Sequence, residues 1–199
     1  MDGVRHTLLL DVDGVLQFPR PEFVRAIERD YSWRAGYLAF QRALLADPAE
    51  ARALTGDGAL ITLVERLLPQ HVAGLSAPVF LERWVTENIA VNEELLTMLP
   101  GLPFDEIYLA TNQEAVRGAR VRELYSGRPG ITGFLISHEL RHRKPGRAFF
   151  DAALARIGRT PSECMFVDDK QQYLDGAARA GLATILYRDN AQLVADLTA

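Results

Sequence analysis

The sequence predicts an α/β fold: a parallel sheet with helical crossovers, interrupted near its start by an inserted block of helices. Three observations carry this. Five short apolar runs, bounded by polar residues or glycine, recur along the chain, as strands buried on both faces of a parallel sheet do. From residue 104 onward these runs alternate with segments of helical periodicity, and repeated strand, helix, strand builds a parallel sheet with right-handed crossovers. Between residues 17 and 90 no strand-like alternation occurs, and apolar residues recur at helical spacing instead.

Residues 7–11 (Thr-Leu-Leu-Leu-Asp) read as the first strand. The block that follows carries three apolar faces: Tyr37, Phe40 and Leu44; Leu60, Leu63, Val64, Leu67 and Leu68; and Leu81, Trp84, Val85 and Ile89. Packing is their simplest use. Residues 106–110, 133–137, 164–168 and 183–187 supply the remaining strands. Helices are expected over 113–125, over 147–157 with Phe150, Leu154 and Ile157 on one stripe, and over 173–180, ended by Gly181.

The 199 residues suit one domain or one domain with an insertion, and 48% hydrophobic with 24% charged residues excludes a disordered chain, a collagen-like repeat and a long coiled coil. A net charge of −4 exerts no general pull on nucleic acid or anionic membrane, so an anionic ligand needs locally placed cations. The single cysteine, Cys164, has no internal partner and sits in the apolar run Cys164-Met165-Phe166-Val167, where it reads as a buried thiol. The first residues, Met1-Asp2-Gly3-Val4-Arg5-His6, lead after four uncharged residues to Asp11. That is not the pattern of a signal peptide. No apolar run reaches the roughly 18 residues of a spanning helix, and the expectation is a soluble, cytoplasmic protein.

Four groups of residues could carry chemistry. Asp11-Val12-Asp13-Gly14 follows the first strand; side chains two apart on an extended segment point the same way, so both carboxylates would project where ligands bind in open α/β sheets. The same residues also make an ordinary Asp-Gly turn. Thr111-Asn112 follows the second strand, and Thr111 with Glu114 has the spacing of a capping box, although a hydroxyl and free N–H groups at a helix start also cradle phosphate. Lys144-Pro145 follows Arg141, His142 and Arg143; the latter three read as surface charge, whereas an ammonium just before a helix start could reach both a phosphate and a carboxylate. Asp168-Asp169 ends the fourth strand and either caps a helix or, facing Asp11, forms an oxygen-rich pocket suited to Mg²⁺.

The order acid-x-acid, hydroxyl, lysine, acid pair, each at a strand's carboxyl end, resembles the four motifs of the haloacid dehalogenase-like hydrolase superfamily. They correspond to Asp11-Val12-Asp13-Gly14-Val15-Leu16, Thr111-Asn112, Lys144-Pro145 and Phe166-Val167-Asp168-Asp169. The resemblance implies a Rossmann-like parallel sheet core over 1–16 and 91–199 and an inserted α-helical cap over 17–90. It implies a Mg²⁺-dependent phosphatase acting on a small phosphorylated metabolite, a closed cap favouring monoesters such as sugar phosphates, with no nucleic-acid or membrane partner. Asp11 would be the nucleophile that forms an aspartyl-phosphate. Asp13 would be general acid and then general base, its backbone carbonyl binding the metal. Thr111 and the N–H of Asn112 would hold phosphoryl oxygens, and Lys144 would neutralise Asp11 and the phosphate. Asp169 would ligate Mg²⁺ directly and Asp168 through water or a hydrogen bond.

The chain departs from the pattern at Tyr173, where many relatives have Asp or Asn, and at Thr111-Asn112-Gln113, where many have Ser-Asn. Gln113 either contacts substrate or sits in the first turn of its helix. Arg20, Arg25, Tyr31, Trp33, Arg34, Tyr37, His71 and Trp84 are the cap residues available to touch a substrate. A phosphomutase uses the same residues, and a non-catalytic phospho-ligand-binding protein is the alternative of another class. A response-regulator receiver places its acid pair first and has no helical insertion. Dehalogenases generally lack the second aspartate, and a Schiff-base phosphonatase needs a cap lysine, which residues 17–90 do not contain.

Overall fold

The computed structural model describes residues 6–198. The first five residues, read above for a leader, and residue 199 lie outside them, as do those ends of the expected core. The chain opens with β1 (Thr7–Leu10), β2 (Gln17–Phe18), α1 (Pro21–Asp30), β3 (Ser32–Trp33), α2 (Tyr37–Ala46), α3 (Pro48–Leu54), α4 (Leu60–His71), β4 (Val72–Ala73), α5 (Ala77–Glu87) and β5 (Ala90–Val91). It continues with α6 (Glu93–Met98), β6 (Glu106–Thr111), α7 (Ala115–Tyr125), β7 (Gly133–Ile136), α8 (Ser137–Leu140) and α9 (Arg147–Ile157). β8 (Cys164–Asp168), α10 (Gln171–Arg179), β9 (Ala183–Leu186) and α11 (Asn190–Thr198) complete it.

β7, β6, β1, β8 and β9 form, in that order, one five-stranded parallel sheet. Alternation along each strand sorts side chains onto two faces. Leu8, Leu10, Ile107, Leu109, Met165 and Val167 pack on one face against Leu95 and Leu96 of α6, Val121 and Tyr125 of α7 and Leu193 of α11. Leu9, Ala110, Cys164 and Phe166 pack on the other against Phe149, Phe150 and Leu154 of α9 and Leu174 of α10. Cys164 is buried, as its apolar run implies. The expected stripe on α9 is present, with Phe150 and Leu154 buried and Ile157 packed at its margin.

The helical insert between β1 and β6 has an apolar cluster of its own, built from Phe23, Ile27, Tyr37, Phe40, Leu63, Val64, Phe80 and neighbours. Phe40 and Phe80 meet edge to face at 5.1 Å and Phe23 meets Tyr37 at 5.4 Å. The block is not purely helical: β2 pairs with β5 where the insert leaves and rejoins the sheet, and β3 pairs with β4. Two-residue strands carry no periodicity for a sequence to display. No helix among the described residues is long and apolar enough to cross a membrane.

Candidate active site

β1 lies between β6 and β8, so the loops after these three strands converge at one edge of the sheet, where ligands bind in open α/β folds. Asp11 follows β1 directly and its N–H donates to the Val167 carbonyl at 2.9 Å. The turn after it is closed by the Gly14 N–H, which donates to Gln17 O at 2.8 Å. Gly14 has φ +92°, and a Cβ there would lie 2.5 Å from Asp169 Oδ2. Glycine therefore serves both the turn and the approach of the acid pair.

The centre of the site is a buried ion cluster. Lys144 Nζ lies 2.8 Å from Asp11 Oδ1 and 2.6 Å from Asp168 Oδ2, with all three side chains excluded from solvent. Burial alone would discharge the ammonium, but the charges of Asp11 and Asp168 outweigh it and hold its pKa above the ordinary lysine value. Burial pushes the Asp11 carboxyl up; Lys144 opposes this and Asp168 adds to it. Oxygens of Asp11, Asp168 and Asp169 lie within 4.8 Å of one another.

These residues fit a divalent cation. Asp11 and Asp168 share one buried ammonium and Asp169 joins their oxygens; these are the hard donors that Mg²⁺ takes, and Asp169 Oδ1 is buried without a hydrogen-bond partner, Lys170 Nζ lying 3.9 Å away. Asp168 is differently placed, since its Oδ2 accepts from Lys144 and its Oδ1 from the Lys170 N–H at 2.9 Å.

Asp13 stands outside that cluster. Its carboxylate accepts from Gln17 Nε2 at 2.7 Å, from Gln113 Nε2 at 2.8 Å and from Arg117 Nη2 at 2.9 and 3.0 Å. Burial would raise its pKa, but Arg117, Gln17 and Gln113 together hold it below the ordinary carboxylate range. Sequence reasoning missed Arg117 and Gln17, and no local signal marks a pair 104 residues apart such as Arg117 and Asp13.

Four local readings of the sequence do not hold. Thr111 is the last residue of β6, paired with Ile136, and caps no helix; α7 starts at Ala115, and Glu114 caps it with its own carboxylate, accepting from the N–H groups of Val116 and Arg117. Strand pairing has overridden the capping-box spacing. Gln113 accordingly sits in no helical turn; it reaches Asp13 and Thr111 Oγ1. Lys144 is not next to a helix start either, since Gly146 caps α9. Its position comes from Asn112, whose side chain donates to Lys144 O and accepts from Lys144 N, both at 2.9 Å. Finally, neither Asp168 nor Asp169 caps α10, whose N-cap is Lys170.

Asp11, Asp13, Thr111, Asn112 and Lys144 line one cavity of about 220 Å³ between the sheet edge and the insert. Of the insert residues considered for substrate contact, Trp84 lines it, its ring 4.9 Å from the Arg117 guanidinium. Tyr173, the departure from the expected acid, places its ring 5.0 Å from Lys144 Nζ and 5.3 Å from Lys170 Nζ. An aromatic face supports the lysine where a carboxylate was the alternative.

A family model described as HAD-hydrolase-like matches residues 141–199. No curated protein matches the chain. A HAD family enzyme from Bacteroides thetaiotaomicron, solved with magnesium and inorganic phosphate, is similar with a TM-score of 0.75 and 19% identity, over 96% of this chain and 99% of that one. A HAD-like family hydrolase from Porphyromonas gingivalis gives 0.74 at 17% identity, covering 98% and 97%. The L-2-haloacid dehalogenase of Xanthobacter autotrophicus, with chloropropionic acid covalently bound, gives 0.64 at 17%, covering 91% and 76%. At these identities the likeness is one of fold.

Proposed function

We propose that this chain is a member of the haloacid dehalogenase-like hydrolase superfamily, which the family model over residues 141–199 and the likeness of fold support, and that it is a Mg²⁺-dependent phosphatase that hydrolyses a small phosphate monoester through an aspartyl-phosphate on Asp11. The observation that carries the reading is the buried Asp11–Lys144 pair at the head of a cavity that Asp13 and Thr111 also line.

In the first step an Asp11 carboxylate oxygen attacks phosphorus, the bond from phosphorus to the alcohol oxygen breaks, and Asp13 gives that oxygen a proton. In the second, water attacks phosphorus as Asp13 takes its proton, the aspartyl oxygen–phosphorus bond breaks, and inorganic phosphate leaves. Lys144 offsets charge on Asp11 and the phosphoryl group. Thr111 Oγ1 accepts from Gln113, which leaves its hydroxyl hydrogen to turn toward a phosphoryl oxygen. Since the Asn112 side chain is committed to Lys144, its backbone N–H is the group it offers. The free protein holds Asp13 as a carboxylate, the form the second step uses. To protonate a leaving oxygen Asp13 has first to give up Arg117 and carry a proton, taken from solvent or kept from the water split in the preceding turnover.

Asp11, Asp169 and the Asp13 carbonyl would hold Mg²⁺, with Asp168 acting through water or a hydrogen bond. Asp169 Oδ1, which has no hydrogen bond and only a long 3.9 Å ion pair with Lys170 Nζ, and the two committed Asp168 oxygens support that division. Mg²⁺, when bound, supplies positive charge against the phosphoryl oxygens and the surplus of carboxylates. Residues 17–90 act as a cap over the cavity. Carbon–halogen cleavage is disfavoured because halide leaves without a proton and gives Asp13 no task.

The test is release of inorganic phosphate from an aryl phosphate, lost on exhaustive chelation and restored by Mg²⁺. Activity that survives chelation, or chloride release from 2-chloropropionate without phosphatase activity, overturns the reading. Stoichiometric transfer to a second hydroxyl in place of water identifies a mutase.

A further inference from the structure

The two sides of the cavity differ in chemistry. The sheet edge contributes the acids, amides and cations described above, whereas the insert contributes Leu44, Leu45, Leu54, Leu60, Trp84 and, as its one polar side chain, Glu50. Glu50 is half-buried; burial holds its carboxyl above the ordinary range, Arg143 and Arg117 opposing this and Glu114 adding to it, so it is a weaker anion than a free glutamate and protein cations already face it. A second cavity of about 280 Å³ shares Asp13, Leu45, Trp84, Arg117 and Lys170 with the first and adds apolar Phe18, Pro19 and Ile89 beside polar Gln17, Gln41 and Asn88, so the apolar wall is that of the first cavity. Phe18 is 39% and Leu45 58% exposed, two of the four large apolar side chains that the described residues leave open to solvent. Single exposed apolar residues mean little; Leu45, however, also lines the first cavity, and Phe18 lines the one adjoining it.

We infer that the alcohol released by this enzyme is uncharged and apolar, of about the bulk of a single carbocyclic ring, in place of a sugar or a second phosphorylated group. The inference rests on the phosphatase reading and names its substrate class. The reaction itself is unchanged: ester plus water gives the alcohol and inorganic phosphate. A polyol entering this space surrenders water around each hydroxyl and meets leucine and indole, which return no hydrogen bonds. A hydrocarbon ring gains from the same contact. Sugar phosphates, the example favoured by the sequence, are thereby the poorer class.

Cyclohexylmethyl phosphate and a hexose 6-phosphate test this cleanly, because both are primary-alcohol esters carrying one six-membered ring and differ mainly in polarity. The expected kcat/KM ratio favours the carbocycle by about 10²-fold, the scale on which an apolar pocket tells such groups apart. A ratio of one or below overturns the inference, as does a faster rate with 2-aminoethyl phosphate, which assigns discrimination to Glu50. A binding measurement separates this failure from failure of the phosphatase reading. By calorimetry, cyclohexylmethylphosphonate should bind roughly tenfold or more tightly than methylphosphonate, whether or not any ester is hydrolysed; equal binding overturns the pocket assignment. In Leu54→Asn the KM of the ring ester should rise more than that of methyl phosphate. An unchanged ratio of the two KM values counts against the wall.

Discussion

The sheet edge and the insert wall face each other across one cavity and are held by opposite kinds of force. At the sheet edge Asp11, Lys144 and Asp168 are buried charges locked at 2.6–2.8 Å, and each is placed by a strand or by a side-chain clamp from a distant loop. Such a cluster adds little net stability, because desolvation consumes most of the attraction; its worth lies in fixed geometry. Across the cavity, the insert is held by aromatic and aliphatic packing around Phe40 and Phe80, and it turns leucines and an indole toward the site. Few polar contacts join the halves: Arg117 stands over Trp84, Arg120 Nε donates to Val85 O at 3.2 Å, and Arg141 donates to the Gly56 carbonyl. In the proposed reading the bond-making groups are thus held by strand ends and by the Asn112 clamp, and shape selection falls to a separately packed layer. Substitutions at the edge should therefore change rate, and substitutions in the wall should change preference.

The largest effect is expected at the nucleophile. Asp11→Asn should abolish turnover and give no phosphoryl adduct by intact-protein mass spectrometry after rapid quench; an adduct in this variant refutes the assignment. Asp13→Asn should slow both steps, by about 10²–10⁴ for lost acid–base help. With an aryl phosphate, whose leaving oxygen barely needs a proton, the second step suffers more, and the adduct should accumulate on the peptide that contains Asp11.

Lys144→Ala should cost on the order of 10²–10³ in kcat and, by stranding Asp11 and Asp168, about 3–5 kcal/mol in stability. Arg143→Ala makes the same change in charge at an exposed side chain, which lines the same cavity, in place of the surface setting its sequence run implies; it should cost less of either. Equal losses in rate and in denaturant midpoint would erase the distinction between a buried and an exposed cation.

The sequence displayed the sheet edge better than the wall, for a physical reason. A strand buried on both faces is a local apolar run, and acids at its end are read off directly, so the placement of Asp11, Asp13, Asp168 and Asp169 at the sheet edge is legible with their strands. Thr111 and Lys144 were found at positions whose local setting was wrong, because pairing with Ile136 and the Asn112 clamp are tertiary and leave no local trace. Arg117 was missed for the same cause. In the insert, attention to arginines and aromatics picked out Trp84 and passed over Leu44 and Leu60, which periodicity assigned to packing. Both belong to the apolar cluster and also line the cavity, and no pattern in one sequence separates those uses.

Arg117 touches both regions and gives the smallest and sharpest test of the difference between them. Its Nη2 bonds both Asp13 oxygens while its guanidinium covers Trp84. In Arg117→Met the upward push of burial on Asp13 is no longer met by a cation, although Gln17 and Gln113 remain, so the Asp13 pKa rises. The base step needs the carboxylate and is active above that pKa, so the acid limb of the pH–rate profile with an aryl phosphate should move to higher pH. Asp13 is 35% exposed, and solvent screens a pair of that kind, so the movement should be small. Trp84→Phe keeps an aromatic wall and leaves the ion pair intact, so it should alter the KM of a ring ester and leave the acid limb in place. If Trp84→Phe moved the limb while Arg117→Met left it unmoved, proton chemistry and shape selection would not be divided between the two sides of the cavity.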